Sequence, residues 1–251
     1  MNLTRIECIK QYLLTLCKAI TIIDERRSHS RHYSVIRIDS AAENIDKTEG
    51  RPEGGPMTTP RYTLDEFVHD MEDLLKSEPE NQKIFDTGSD WLAKLTRNPE
   101  NIPAEYRVPL GGTGPRANLG SYLLYQGDSG LQVTAVVWGP GAHLGPHNHH
   151  TWGMIDVLEN SLIETKYRRV DDRSKDGFAR LEFARKAKFS PGEITLLVPD
   201  VDEIHQMDNL TDRPTVEVHV YGNDLRGLNR CRYNLETGEI VTFATTKGDN
   251  C

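Results

Sequence analysis

Gly141-Ala142-His143-Leu144-Gly145-Pro146-His147-Asn148-His149 is the stretch on which the fold turns. Its glycines and proline punctuate the chain as a turn. Its histidines crowd between two apolar runs, Leu131-Gln-Val-Thr-Ala-Val-Val-Trp138 and Gly153-Met-Ile-Asp-Val-Leu158. Working outward, the same kind of run recurs at 122–125, 161–167, 193–198, 215–221 and 240–243. Each is short, β-branched or aromatic, and bounded by Gly, Pro, Asp or Asn. Many short strands at this spacing predict an antiparallel sandwich or barrel, not a parallel α/β sheet. In a strand, residues i and i+2 share a face. His147 and His149 can therefore aim two imidazoles at one point, and a third ligand must come from elsewhere in the chain. Gly192-Glu-Ile-Thr-Leu-Leu-Val-Pro199, followed by His205-Gln-Met-Asp-Asn209, supplies His205.

Upstream the periodicity changes. Thr63-Leu-Asp-Glu66 is a capping box, and Leu64, Phe67, Val68, Met71, Leu74 and Leu75 follow at helical spacing. Trp91, Leu92 and Leu95 mark a second helix over about 89–95. Both predict helices that cover one side of a sheet. Residues 1–56 differ from the rest: a short amphipathic start, then charged stretches rich in Gly and Pro. That composition predicts a flexible extension outside the domain. The expected organisation is an extension at 1–56, a helical segment at 57–100 and a β-barrel at 101–251.

Composition excludes several classes. Asp plus Glu outnumber Lys plus Arg by 38 to 30, for a net charge of −8, with no basic block to meet a phosphate backbone. No nucleic-acid partner is expected. Apolar runs are only a few residues long, far short of the roughly 18 that span a bilayer. The four cysteines, Cys8, Cys17, Cys231 and Cys251, form neither a CxxC pair nor a disulfide framework. A reducing, cytoplasmic setting is expected.

Gly141-x5-His147-x-His149, taken with Gly192-x6-Pro199 and His205-x3-Asn209, resembles the two metal-binding motifs of the cupin superfamily, whose fold is a double-stranded β-helix of the jelly-roll type. The family's glutamate after the second histidine is missing, since Gly153 and Met154 stand there. One extra residue separates Pro199 from His205. HNHHTWGMIDVL, residues 147–158, resembles the cysteine dioxygenase-like thiol dioxygenases, and most of all their bacterial 3-mercaptopropionate dioxygenase branch. The resemblance spans about residues 60–245.

The resemblance implies that His147, His149 and His205 hold Fe(II). It implies oxidation of a small carboxylated thiol by O2 to a sulfinic acid. Gly153 occupies the position where some relatives have a cysteine cross-linked to tyrosine, so no such cross-link is expected. Val-His219-Val-Tyr221-Gly is similar to the family's outer-sphere His-x-Tyr pair, which implies that Tyr221, oriented by His219, gives a hydrogen bond into the site. Arg230 matches the arginine that grips the substrate carboxylate. The other branch's arginine position, before Gln126-Gly127, holds Ser121. Glu217 replaces the serine usually found two residues before the histidine. It is either a partner of His219 or faces away in a bulged strand.

Other readings of these residues are plainer. Arg230 can pair with Asp224 or Glu236 at the surface, His143 and His150 can face solvent, and Trp138 and Trp152 can belong to the core. A different metal-dependent cupin enzyme, or a binding module without turnover, would use the same barrel.

Overall fold

The computed structural model describes residues 36–37, 61–77, 79–111, 118–245 and 249–250. All of them fall in the unit Val35–Cys251. The expectation for residues 1–56 lies, apart from residues 36–37, outside the described residues.

Two helices, α1 (Leu64–Lys76) and α2 (Asn81–Thr96), precede the main run of strands. The predicted capping box is present: the Glu66 N–H donates to Thr63 Oγ1, and the Thr63 N–H donates to Glu66 Oε2. The second helix starts eight residues before the predicted position. Residues 81–88 carry polar side chains around Ile84 and Phe85, and burial of those two decides the start.

Among the described residues there are twelve strands: β1 (Ile36–Arg37), β2 (Leu119–Gln126), β3 (Gln132–Trp138), β4 (His143–His147), β5 (Gly153–Glu159), β6 (Leu162–Arg169), β7 (Leu181–Phe189), β8 (Glu193–Leu197), β9 (His205–Asp208), β10 (Thr215–Tyr221), β11 (Arg230–Tyr233) and β12 (Ile240–Phe243). They form two antiparallel six-stranded sheets, ordered β1-β8-β5-β10-β3-β2 and β12-β11-β4-β9-β6-β7. From β3 to β10 the chain passes back and forth between the sheets, so strands distant in sequence lie side by side, β3 beside β10 and β4 beside β9. This is the jelly roll that the strand spacing and the cupin motifs predict. Among the described residues, no helix is long and apolar enough to cross a membrane.

The central strands β5, β10 and β3 of the first sheet are buried on both faces. Val133, Ala135 and Val137 of β3 and Val216, Val218 and Val220 of β10 pack with Phe67, Met71, Phe85 and Leu92 of the helices. The alternate residues, Gln132, Thr134, Val136 and Trp138 of β3 with His219 and Tyr221 of β10, face a cavity between the sheets. The two-residue period thus sorts β10 into an apolar outer face under the helices and a polar inner face. The outer face anchors the strand by apolar burial, roughly 25 cal/mol per Å². The inner face is left free for chemistry.

Candidate metal centre

His147 is the last residue of β4, and His149 lies just beyond it in the following loop. The shared-face rule of a strand therefore does not by itself bring them together. The loop is pinned on both sides. Asn148, between the two histidines, is buried; its N–H donates to the Cys231 carbonyl at 3.1 Å, and its Oδ1 accepts the Cys231 N–H at 2.7 Å. Glu203, also buried, accepts the N–H groups of His149 and His150 at 3.2 and 2.7 Å on one oxygen. His150 takes a left-handed φ of +54° to make this turn. His205 opens β9, opposite His147 in the β4–β9 ladder. The extra residue before His205 is absorbed by the turn at 199–202, where Asp200 has φ +61°.

The three imidazoles converge. Nitrogens of His147, His149 and His205 all lie within 4.8 Å of one another, and all three residues are buried. The His147 Nδ1 sits 2.9 Å from the Gly145 carbonyl, and the His205 Nδ1 sits 2.9 Å from Glu164 Oε1. Both partners are acceptors, so each Nδ1 carries the proton and each Nε2 presents a lone pair. The His149 and His205 Nε2 atoms are 3.0 Å apart. Burial pushes the His147 and His149 imidazoles well below their ordinary pKa, and the neighbouring histidines add to this, so both are neutral donors. A buried site where neutral nitrogen donors face one another suits a borderline divalent cation, and the residues fit one.

Behind this cluster stands a buried carboxylate that sequence reading missed. Glu164 accepts from His205 Nδ1 and from Thr195 Oγ1, each at 2.9 Å. Burial alone would raise its pKa. The Lys166 charge, 4.0 Å away, and the bonds from His205 and Thr195 outweigh burial and hold the carboxyl well below the usual range. Lys166 is fully buried, donates to the carbonyls of Leu196 and Asp202, and pairs with Asp202 at 3.2 Å. Glu164 and Lys166 alternate along β6 like a solvent face. Their opposite charges two residues apart were the available signal.

On β10, Glu217, His219 and Tyr221 share the inner face. The register shift against β5 falls between Val216 and Glu217, ahead of all three, so Glu217 does not face away. The Trp138 Nε1–H donates to Glu217 Oε2 at 2.7 Å. The His219 Nε2 contacts the same oxygen at 2.9 Å, and the His219 Nδ1 lies 2.7 Å from the Tyr221 hydroxyl. The Tyr221 ring stacks on His149, centroids 5.1 Å apart and planes 22° apart. Burial pushes the Tyr221 phenol above its ordinary pKa; Arg230 opposes this and Glu217 adds to it. Trp138 was expected only as core; its indole N–H is committed to this chain.

Trp138, His147, His149, His205, His219 and Tyr221 line one cavity of about 420 Å³, which Arg230 and Ser121 also border. Arg230 is buried, donates to Thr245 Oγ1 and lies over the Phe243 ring. The partner of Asp224 is Arg226, not Arg230. His143 is exposed and pairs with Asp208. Gly153 lies opposite Tyr221 in the β5–β10 ladder.

No protein-family model matches the chain. Solved structures of similar fold include an oxalate oxidase in complex with glycolate, at 15% identity and TM-score 0.37 over 47% of this chain and 56% of that one. Another is a sugar phosphate isomerase of the cupin superfamily from Silicibacter pomeroyi, at 17% identity and TM-score 0.37 over 57% of this chain and 88% of that one. A third is a DMSP lyase from Ruegeria pomeroyi, at 14% identity and TM-score 0.34 over 56% and 58%. The chain spans little more than half the length of the oxalate oxidase chain it matches. At such values the fold stands on its own strand order, and the chain is a jelly roll with a buried three-histidine cluster on the wall of its cavity.

Proposed function

We propose that this protein is an Fe(II)-dependent thiol dioxygenase that converts a small carboxylated thiol and O2 to the sulfinic acid. His147, His149 and His205 would hold the iron. When bound, the metal would supply sites for both the thiolate and O2, overcoming the spin barrier between them. The supporting observation is the placement of Tyr221 against His149, at the end of the chain Trp138–Glu217–His219–Tyr221.

The roles of the protein groups follow from their bonds. An indole N–H can only donate, so Glu217 Oε2 acts as an acceptor. The same oxygen takes the His219 Nε2 proton and leaves Nδ1 to accept from the Tyr221 hydroxyl. If a substrate thiol gives its proton to the Tyr221 oxygen, the phenol proton moves to His219 Nδ1. The resulting imidazolium faces the Glu217 carboxylate, which stabilises it. The chain thus accepts one proton at the cavity wall without exposing a charge to solvent. Arg230 would grip the substrate carboxylate through its planar fork. Leu123, Leu144, Met207 and Leu225 border the cavity and limit water there.

The test is O2 consumption by protein loaded with Fe(II) under argon, against a panel of thiols, with sulfinate followed by mass spectrometry. One sulfinate per O2 with a carboxylated thiol is the expected result. No uptake by iron-loaded protein with any thiol overturns the reading and favours another metal-dependent cupin reaction.

A further inference from the structure

We propose that Glu203 is a positioning residue of the metal centre: its carboxylate aims the His149 imidazole by holding the main chain that carries it. The proposal rests on His147, His149 and His205 holding a metal, and not on the thiol as substrate.

A histidine that ligates a metal is ordinarily fixed by an acceptor on its other ring nitrogen. Two of the three follow that rule: the Nδ1 of His147 has the Gly145 carbonyl and the Nδ1 of His205 has Glu164, each at 2.9 Å. His149 does not. Its Nε2 lies 3.0 Å from the His205 Nε2, while its Nδ1 is buried with no hydrogen-bond partner among the described residues. The Tyr221 ring stacks on this imidazole, centroids 5.1 Å apart. Stacking sets the plane of a ring but leaves it able to turn within that plane. The direction of the His149 Nε2 is therefore set by its main chain.

Glu203 holds that main chain. The N–H groups of His149 and His150 converge on its Oε2 at 3.2 and 2.7 Å. Successive N–H groups on one anion form a nest, and the left-handed φ of His150, +54°, belongs to this turn. A residue other than glycine keeps such a φ only where its surroundings compensate it. The other oxygen, Oε1, accepts the Asp200 N–H at 3.2 Å. One buried carboxylate thus joins the loop of His149 to the turn that leads into His205, across 54 residues of chain. The His150 Nδ1 is 4.0 Å from Oε1, so backbone N–H groups and not a close ion pair hold this carboxylate. None of these bonds needs an ion, so the nitrogen cluster is built before a metal arrives. In Glu203→Gln one oxygen becomes an NH2 that cannot accept, and either the nest or the Asp200 bond is lost.

Two measurements on Zn(II)-loaded protein test this without turnover: affinity, by competition with a chromophoric chelator, and the count of bound imidazoles, by X-ray absorption at the zinc edge. Wild type is expected to show three imidazoles. Glu203→Gln is expected to show two and to bind Zn(II) about ten- to a hundredfold more weakly. In a His149→Ala background the same substitution is expected to change affinity by less than about twofold, because its effect runs through His149. A full loss in that background overturns the proposal, as does Glu203→Gln with wild-type affinity and three imidazoles. Hydrogen exchange in metal-free wild type needs no variant to fold. There the His149 and His150 amides are expected to exchange at least about a hundredfold more slowly than in an open chain, and exchange at the open-chain rate overturns the proposal. Protected amides in a protein that binds no Zn(II) would uphold the Glu203 clamp and overturn the metal reading on which the proposal rests.

Discussion

Glu164→Gln isolates the buried carboxylate behind the three-histidine cluster. The substitution keeps shape and removes charge. The wild-type carboxylate fixes the His205 proton on Nδ1 and compensates Lys166, which is fully buried. Glutamine can still accept through its carbonyl from His205 or from Thr195, but it no longer balances the ammonium. Breaking a buried ion pair costs about 3–5 kcal/mol when the remaining charge is stranded. Here Lys166 keeps Asp202 at 3.2 Å, so the lower end, about 3 kcal/mol, is expected. Loss of an acceptor behind a ligating histidine typically weakens metal binding 10–100-fold. Urea denaturation measures the first effect, and competition with a chromophoric chelator measures the second. Lys166→Met in the Glu164→Gln background should recover most of the stability but not the metal affinity, because only the carboxylate acts on His205. Unchanged metal affinity in Glu164→Gln would refute the role given to Glu164.

Asp156 joins α2 to β5 by accepting from Thr96 Oγ1 at 2.6 Å and the Gly192 N–H at 3.1 Å. Burial outweighs these bonds and raises its pKa to about 6, so the folded protein holds this proton more tightly than the unfolded chain. Its contribution is full below about pH 4 and is lost as pH rises through 6, a swing of up to ~3 kcal/mol. Asp156→Asn should flatten that slope relative to wild type in urea melts from pH 4 to 8, and parallel profiles would contradict it. Gly153→Ala places a Cβ 3.0 Å from Leu197 Cδ1 and 3.1 Å from Tyr221 Cδ1. It should cost about 1–3 kcal/mol and slow turnover by moving the Tyr221 ring, whereas an unchanged melting curve with full activity would show that the ring can yield. Trp138→Phe removes the indole donor to Glu217 and should lower kcat several-fold without changing metal affinity, and a matching loss of metal would assign Trp138 to the metal cluster instead.

The fold was legible where local chemistry agrees with burial. Thr63 and Glu66 cap the first helix as their spacing requires, and Thr215–Tyr221 is a strand at its predicted limits. Strand β7 was not legible: Leu181–Phe189 alternates, but Arg, Lys and Glu fill it, as suits an edge strand exposed to water. β9 and β11 are four residues each, too short for a period to declare itself. The three histidines were named from their motif, but Glu203, Glu164 and Trp138 were not. A two-residue period separates two faces without telling which one meets water. In this barrel the polar face of β10, and Glu164 with Lys166 on β6, turn inward.

That inward polar face ties the proposed activity to the correctness of folding. Slipping β10 by one residue would turn Glu217, His219 and Tyr221 toward Phe67 and Leu92, and the three valines toward the cavity. Such a molecule would strand three polar groups beneath an apolar helical layer, at several kcal/mol. The same alternation that builds the site therefore proofreads it: a chain that has closed its helices over β10 has, by that act, already aimed Tyr221.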